Sequence, residues 1–243
     1  VRVHLVAAGK YHDIDFARLE LLKLLAEHPE IRTSVAADYA DVASLAAADL
    51  LITYTCDLIP DAAQTDALAA WLNAGGRWLA LHGTNSALRF AADGKVDCPD
   101  DNPEFTRLAG SRFGGHPPIA PFKVEVTRGD HPMTAGLRDF RVEDELYLVH
   151  RTAALDVLLH TRFTGSCPEF RESEWDEPQV PVLYEHSVGQ GQVLYLTLGH
   201  CRGHYDLQPL AAFWPHPQRC AWNYPVFYEL LRRALRWGLP QLA

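Results

Sequence analysis

The chain has 243 residues, 48% of them hydrophobic and 22% charged, which suffices to bury the core of one large α/β domain, residues 1–243. No apolar run approaches the roughly 20 residues of a membrane span, so no membrane partner is expected. With 22 basic against 31 acidic residues, the formal charge of −9 repels phosphate backbones, so nucleic acid is not an expected partner either.

In chain order, residues 1–7 read as a first strand, followed by the loop Gly9-Lys10-Tyr11-His12-Asp13. Ala17, Leu21, Leu24 and Leu25 mark the buried stripe of a helix that ends near His28-Pro29, and residues 31–37 return as a strand. Residues 50–54 form a third strand, apolar enough to be covered on both faces. A helix over 61–73 is stopped by Gly75-Gly76 and leads into a fourth strand, 78–81, with His82-Gly83-Thr84-Asn85 at its carboxyl end. Open α/β sheets bind ligands at that rim, so His12 and His82 are expected to share it.

Asn102-Pro103-Glu104 opens a short helix ending at Gly110, and Phe113-Gly114-Gly115-His116-Pro117 follows. Strands are expected over 123–127, 140–149, 157–162, 182–185 and 193–196, the last two joined by Gly189-Gln190-Gly191 as an antiparallel hairpin. Phe227, Leu230, Leu231 and Ala234 make residues 224–237 an amphipathic closing helix with a solvated arginine face.

The five cysteines are widely spaced, odd in number and without CxxC, which fits a reducing cytoplasm rather than a disulfide framework. No leader precedes Val1, an expectation that trimming would undo. Tyr11 and His12 follow the first strand without Gly-x-Gly-x-x-Gly, so that loop suits hydroxyl recognition better than a dinucleotide.

His82, His116 and His200 each stand beside or near glycine at a strand end or adjoining loop. A lone loop histidine is ordinarily just solvated, but three in such positions are candidates for acid/base work or for zinc. Sequence leaves both roles open, so a divalent metal such as zinc is possible and no cofactor is certain. Exposed at the rim, His82 and His200 would be removable at a cost of at most about 1 kcal/mol. Asp144 and Glu145 alternate to opposite faces of the 140–149 strand; Glu145 is preferred as general base or metal partner, with Asp144 as substitute. His200-Cys201-Arg202-Gly203-His204 has HxxxH spacing, but Gly203 argues for a loop in which His200 reaches the site and Arg202 or His204 binds hydroxyls. Trp175, Trp214 and Trp222 fall in proline-bearing segments, as a wall for a sugar ring, as core plugs or as anchors of an interface in a homo-oligomer.

Several words together resemble the ThuA-like family, trehalose-utilisation proteins related in fold to class I glutamine amidotransferases. They are Gly75 to His82, His131-Pro132-Met133-Thr134-Ala135-Gly136-Leu137, Asp144-Glu145-Leu146-Tyr147, Gly189 to Tyr195 with Leu198-Gly199-His200, and Leu231 to Trp237. The resemblance implies a flavodoxin-like, three-layer α/β sandwich with a mostly parallel sheet and antiparallel additions in the second half. It also implies a role in the use of trehalose or related glycosides; the small-molecule carbohydrate expected as substrate is an oxidised (keto) glycoside. Where the amidotransferases carry Gly-x-Cys-x-Gly, this chain has Ala80-Leu81-His82-Gly83-Thr84, so the nucleophilic thiol is missing and no glutaminase activity is expected. Two readings follow. One is a hydrolase, lyase or isomerase using His82, His116, Glu145 and His200, with Tyr11, His12, Asn85, Asp144, Arg202 and His204 binding substrate. The other is a non-catalytic sugar-binding or accessory module.

Overall fold

A computed structural model describes residues 1–242. In chain order its elements are β1 (Arg2–Gly9), α1 (Ile14–Ala26), β2 (Arg32–Ala36), α2 (Val42–Ala46), β3 (Leu50–Cys56), α3 (Ala62–Asn73) and β4 (Arg77–Leu81). After a 3-10 turn at His82–Asn85 come β5 (Arg89–Phe90), β6 (Val96–Asp97), α4 (Pro103–Ala109), β7 (Ser111–Gly115), β8 (Ala120–Val126), β9 (Phe140–Asp144) and β10 (Leu148–Arg151). The chain ends with β11 (Asp156–Ser166), β12 (Glu174–Val188), β13 (Gly191–Leu196), α5 (Pro225–Gly238) and two further 3-10 turns.

The large sheet has the order β2-β1-β3-β4-β13-β12-β11-β8-β9. It is parallel from β2 through β13, and β12, β11, β8 and β9 are antiparallel additions beyond it. Residue alternation explains the layers. Val3, Leu5, Leu50, Ile52, Leu79 and Leu194 pack against α1 and α5, while Val6, Leu51, Trp78, Ala80, Val193 and Tyr195 pack against α3 and α4. Both faces of the central strands are therefore apolar, as a strand covered by helices on both sides requires. Each of α1 and α3 starts on an aspartate whose carboxylate accepts an amide of the first turn, Asp13 and Asp61, and Gly75 at φ +108° stops α3.

Two sequence expectations change. The strand expected over 140–149 is broken: β9 stops at Asp144, residues 145–147 leave the sheet, and β10 pairs instead with β7 in a separate antiparallel sheet. Trp175, expected in irregular chain, is a buried residue of the long strand β12. β1 pairs with β2 on one side and β3 on the other, so the chain reverses its direction of winding there. A crevice opens beyond such a point.

Candidate functional site

β1, β3, β4 and β13 lie side by side and parallel, and their carboxyl ends deliver His12, Cys56, His82 and His200 to one rim. His82 sits on the turn out of β4 with φ +46°, a left-handed conformation that a non-glycine residue holds only at a cost of roughly 1–3 kcal/mol. Gly83 makes the turn possible, because a Cβ there would lie 2.6 Å from Thr55 O and 2.9 Å from Cys56 Cβ. This elbow thus presents an imidazole at the carboxyl rim of the sheet, on a left-handed residue backed by a glycine. Tyr195 pins it from beneath: its hydroxyl donates to His82 O (2.7 Å) and accepts from Asn85 N (2.9 Å).

Glu145 enters from the far edge of the sheet. Its carboxylate lies 3.4 Å from His82 Nε2, 3.3 Å from His200 Nδ1, 3.8 Å from His12 Nε2 and 3.2 Å from His116 Nε2. His12 Nε2 and His82 Nε2 are 2.8 Å apart. His12, His82, His200 and Glu145 offer four donor atoms within 4.8 Å of one another, all buried, a set that could hold a metal ion.

Burial pushes the His12 imidazole down to about 3, despite the pull of Glu145. Burial also disfavours charge on Glu145, but His116, His200 and His12 outweigh it and hold the carboxyl well below its usual range. For His200 burial is likewise outweighed, by the Glu145 carboxylate, and its pKa rises. A carboxylate so stabilised is a weak base. Of the two roles expected for Glu145, metal partner fits better than general base.

Above the cluster is a cavity of about 530 Å³, walled by Tyr11, Phe90, Phe113, Tyr147, Phe170 and Trp214, with His12, His116, Glu145, Arg202 and Gln218 supplying its polar groups. That size and mixture suit a small ligand with an apolar face and several hydroxyls. His116 is the most accessible of the histidines around Glu145, its side chain 22% exposed.

The structure brings His12, His82, His116, Glu145 and His200 together and places Tyr11 and Arg202 on the cavity wall. Three expected substrate-binding residues are elsewhere. Asp144 is fully buried and turns away: Oδ1 accepts from Glu145 N (2.7 Å) and His200 N (3.0 Å), Oδ2 from Gly199 N (2.7 Å). It positions the two site loops, although burial raises its pKa. Asn85 is buried behind the elbow, donating to Ser111 Oγ, and His204 is exposed, its ring stacked on Phe213. Residues 199–204 form a loop, joined by a bridge between Arg202 and Gln218, so the HxxxH spacing makes no helical pair.

The expectation that His82 and His200 are exposed is also corrected, since both are fully buried beneath the cavity floor. Trp214 lines the cavity, whereas Trp222 is a core residue whose indole donates to Gly199 O. Sequence reasoning missed Phe90, Phe113, Tyr147, Phe170 and Gln218. The local signals were Phe113, two residues before Gly115 in the His116 word, and Tyr147, two residues after Glu145. All five cysteines are free and buried. Burial raises the Cys56 thiol well above its usual value and pushes Cys201 up to about 12, so neither is an activated nucleophile.

A ThuA-like protein from Bacteroides uniformis ATCC 8492 has a similar structure, with TM-score 0.67 and 18% identity over 98% of this chain and 91% of that one. A second, from Parabacteroides merdae ATCC 43184, gives TM-score 0.69 at 14% identity over 99% and 90%. The cold-adapted β-galactosidase of Rahnella sp. R3 is also similar, with TM-score 0.53 at 11% identity, over 99% of this chain but 31% of that enzyme. At these identities the likeness is one of fold. A search of curated protein sequences finds no match. The family profile described as "ThuA: Trehalose utilisation" matches residues 2–213, from β1 through the loop that carries His200 and Arg202. With that match running through every residue of the buried cluster, the chain belongs to the ThuA family.

Proposed function

We propose that the chain is an enzyme of glycoside utilisation that acts on a carbonyl-bearing (keto) sugar. The observation behind this is the position of the Glu145–imidazole cluster, on the floor of a cavity whose walls are largely aromatic. Aromatic faces stack on the C–H faces of a sugar ring, while Arg202 and the Gln218 amide offer donors to its hydroxyls. His116 is the proton carrier. Its Nδ1–H donates to Pro117 O (2.8 Å), and Nε2 faces both the cavity and Glu145, so this nitrogen can take a proton from a carbon next to the sugar carbonyl. Glu145 stabilises the imidazolium that forms. The ligand in this reading is a small-molecule carbohydrate, and the free cysteines suit a reducing cytoplasm.

The test is exchange of the proton next to the carbonyl, followed by NMR in D2O with keto-glycosides and their parent glycosides. The parent protein should catalyse exchange in a keto-glycoside, and His116→Asn should slow it about a hundredfold or more while still binding the sugar. Exchange at the parent rate in His116→Asn would remove the assigned role. Sugar binding with no exchange or turnover would favour the accessory-module reading.

A further inference from the structure

The groups around the buried cluster fix which nitrogen of each neutral ring carries the hydrogen. A backbone carbonyl only accepts, so a ring nitrogen facing one must carry the hydrogen. His82 Nδ1 faces Thr197 O at 2.8 Å, and His12 Nδ1 faces Lys10 O at 3.2 Å. In the neutral rings both Nε2 atoms are therefore lone pairs, and they face each other at 2.8 Å. His200 Nε2 lies 2.9 Å from Gln218 Oε1, an atom that Arg202 Nη1 also approaches at 3.4 Å. A guanidinium only donates, so this atom is the amide oxygen and His200 Nε2 carries the hydrogen. That leaves His200 Nδ1 fully buried with no hydrogen-bond partner, 3.3 Å from a carboxylate oxygen that is also an acceptor.

Four acceptors thus converge in one buried space with no donor among them. One added proton on His200 would settle its contact with Glu145 and leave the His12–His82 contact repulsive. Two added protons would put two positive charges on adjoining buried rings against a single carboxylate. One divalent cation satisfies all four lone pairs at once.

We propose that His12 Nε2, His82 Nε2, His200 Nδ1 and Glu145 Oε2 ligate a divalent first-row transition-metal ion of the zinc type beneath the cavity floor. In a tetrahedral site with metal–nitrogen bonds near 2.0–2.1 Å, ligand atoms stand about 3.3 Å apart. The separations of 2.8, 3.3, 3.4 and 3.8 Å bracket that value. Each imidazole has its other nitrogen donating to a carbonyl or amide oxygen, the support that fixes a metal-ligating histidine in tautomer and orientation. Three nitrogens and one oxygen suit zinc, cobalt, manganese or iron, and they suit magnesium and calcium poorly. Residues that line the cavity, His12 and Glu145, are two of the four ligands, so an ion here would be within reach of a bound sugar oxygen. The site shares its residues with the proposed reaction but stands whether or not the ligand is a sugar.

The test uses the full chain stripped with a chelator and titrated, without any sugar, with Zn2+, Co2+ or Mn2+, and with Mg2+ as the control. Zn2+ or another of the first-row ions should saturate at one equivalent per chain and raise the Tm, and Mg2+ should do neither. Co2+ should give visible absorption bands typical of nitrogen ligation. Glu145→Gln and His200→Ala should weaken binding by at least about a hundredfold, and Gln218→Ala, which removes only the support of His200, by about tenfold to a hundredfold. If either ligand variant fails to fold, the half-buried Gln218→Ala decides the matter. No saturable equivalent in the parent, or parent-like affinity in the folded variants, would overturn the proposal. Because no sugar is present, failure here leaves the proton-exchange experiment unaffected, and failure there leaves this one unaffected.

Discussion

Tyr195→Phe isolates the elbow from everything around it. The phenol is completely buried, and its hydroxyl is the partner of two backbone groups of the turn, His82 O at 2.7 Å and Asn85 N at 2.9 Å. Phenylalanine keeps the ring and its packing but strands a buried carbonyl and a buried amide. Each stranded group costs about 1–3 kcal/mol, partly offset because the hydroxyl no longer has to be desolvated, so a net loss of about 2 kcal/mol is expected. For a chain of this size that corresponds to a Tm lower by about 4–8 °C. With the φ of His82 already in the left-handed region, the freed turn should relax and move the imidazole, so metal and sugar binding should weaken as well. Tyr184→Phe is the matched control. Tyr184 stacks on Tyr195 at 5.3 Å, but its hydroxyl serves Ala109 O and Ser111 Oγ and makes no bond to the elbow backbone. Both variants should lose similar stability by urea unfolding, and only Tyr195→Phe should lose ligand affinity. Equal ligand binding in the two would refute the claim that the phenol holds His82 in place.

Acid should destabilise the metal-free protein early. His12 is held down to about 3 when folded, against about 6.5 when unfolded, so between those values the unfolded chain binds a proton that the native state refuses. Stability should therefore fall with pH below about 6.5, by up to about 1.4 kcal/mol per unit, and Glu145 adds to the loss once pH drops below about 4.3. His200, raised when folded, works oppositely: its contribution is present below about 6.5 and is lost as pH rises through its folded value. Urea unfolding from pH 4 to 7 should show a shallower slope for His12→Asn, and an unchanged slope would contradict the assignment. Glutamine incubated with the protein should release no ammonia, since the elbow carries His82 and the Cys56 and Cys201 thiols are raised by burial; release that disappears on changing a cysteine to serine would show an active thiol. Trp214→Ala should weaken sugar binding about tenfold with little change in Tm, because this half-buried ring lies on the cavity wall and outside the core clusters; unchanged affinity would place the sugar elsewhere.

The central sheet was legible because β1, β3 and β4 are short apolar runs bounded by turn residues, a pattern that a strand buried on both faces imposes. The rim was legible for the same reason, since a histidine just past a parallel strand has few other places to go. Depth was not legible. His82 and His200 are buried because the segment after β9 folds over them, setting Glu145 and Tyr147 against residues more than fifty positions away. The break at Asp144 was hidden as well: Phe140 to Val149 reads as one strand, and only pairing of β10 with β7 shows why the chain leaves the sheet at Glu145. The wall had little local pattern: Phe113 stands in the His116 word, but Phe90 and Phe170 come from a separate short strand and a loop.

The most direct test of the account follows the imidazoles themselves. In 15N-labelled protein titrated with a keto-glycoside, the ring signals of His12, His82, His116 and His200 should shift together, saturating at the same sugar concentration, while exposed His204 and His216 stay still. Saturable sugar binding that leaves those four signals unmoved would contradict it.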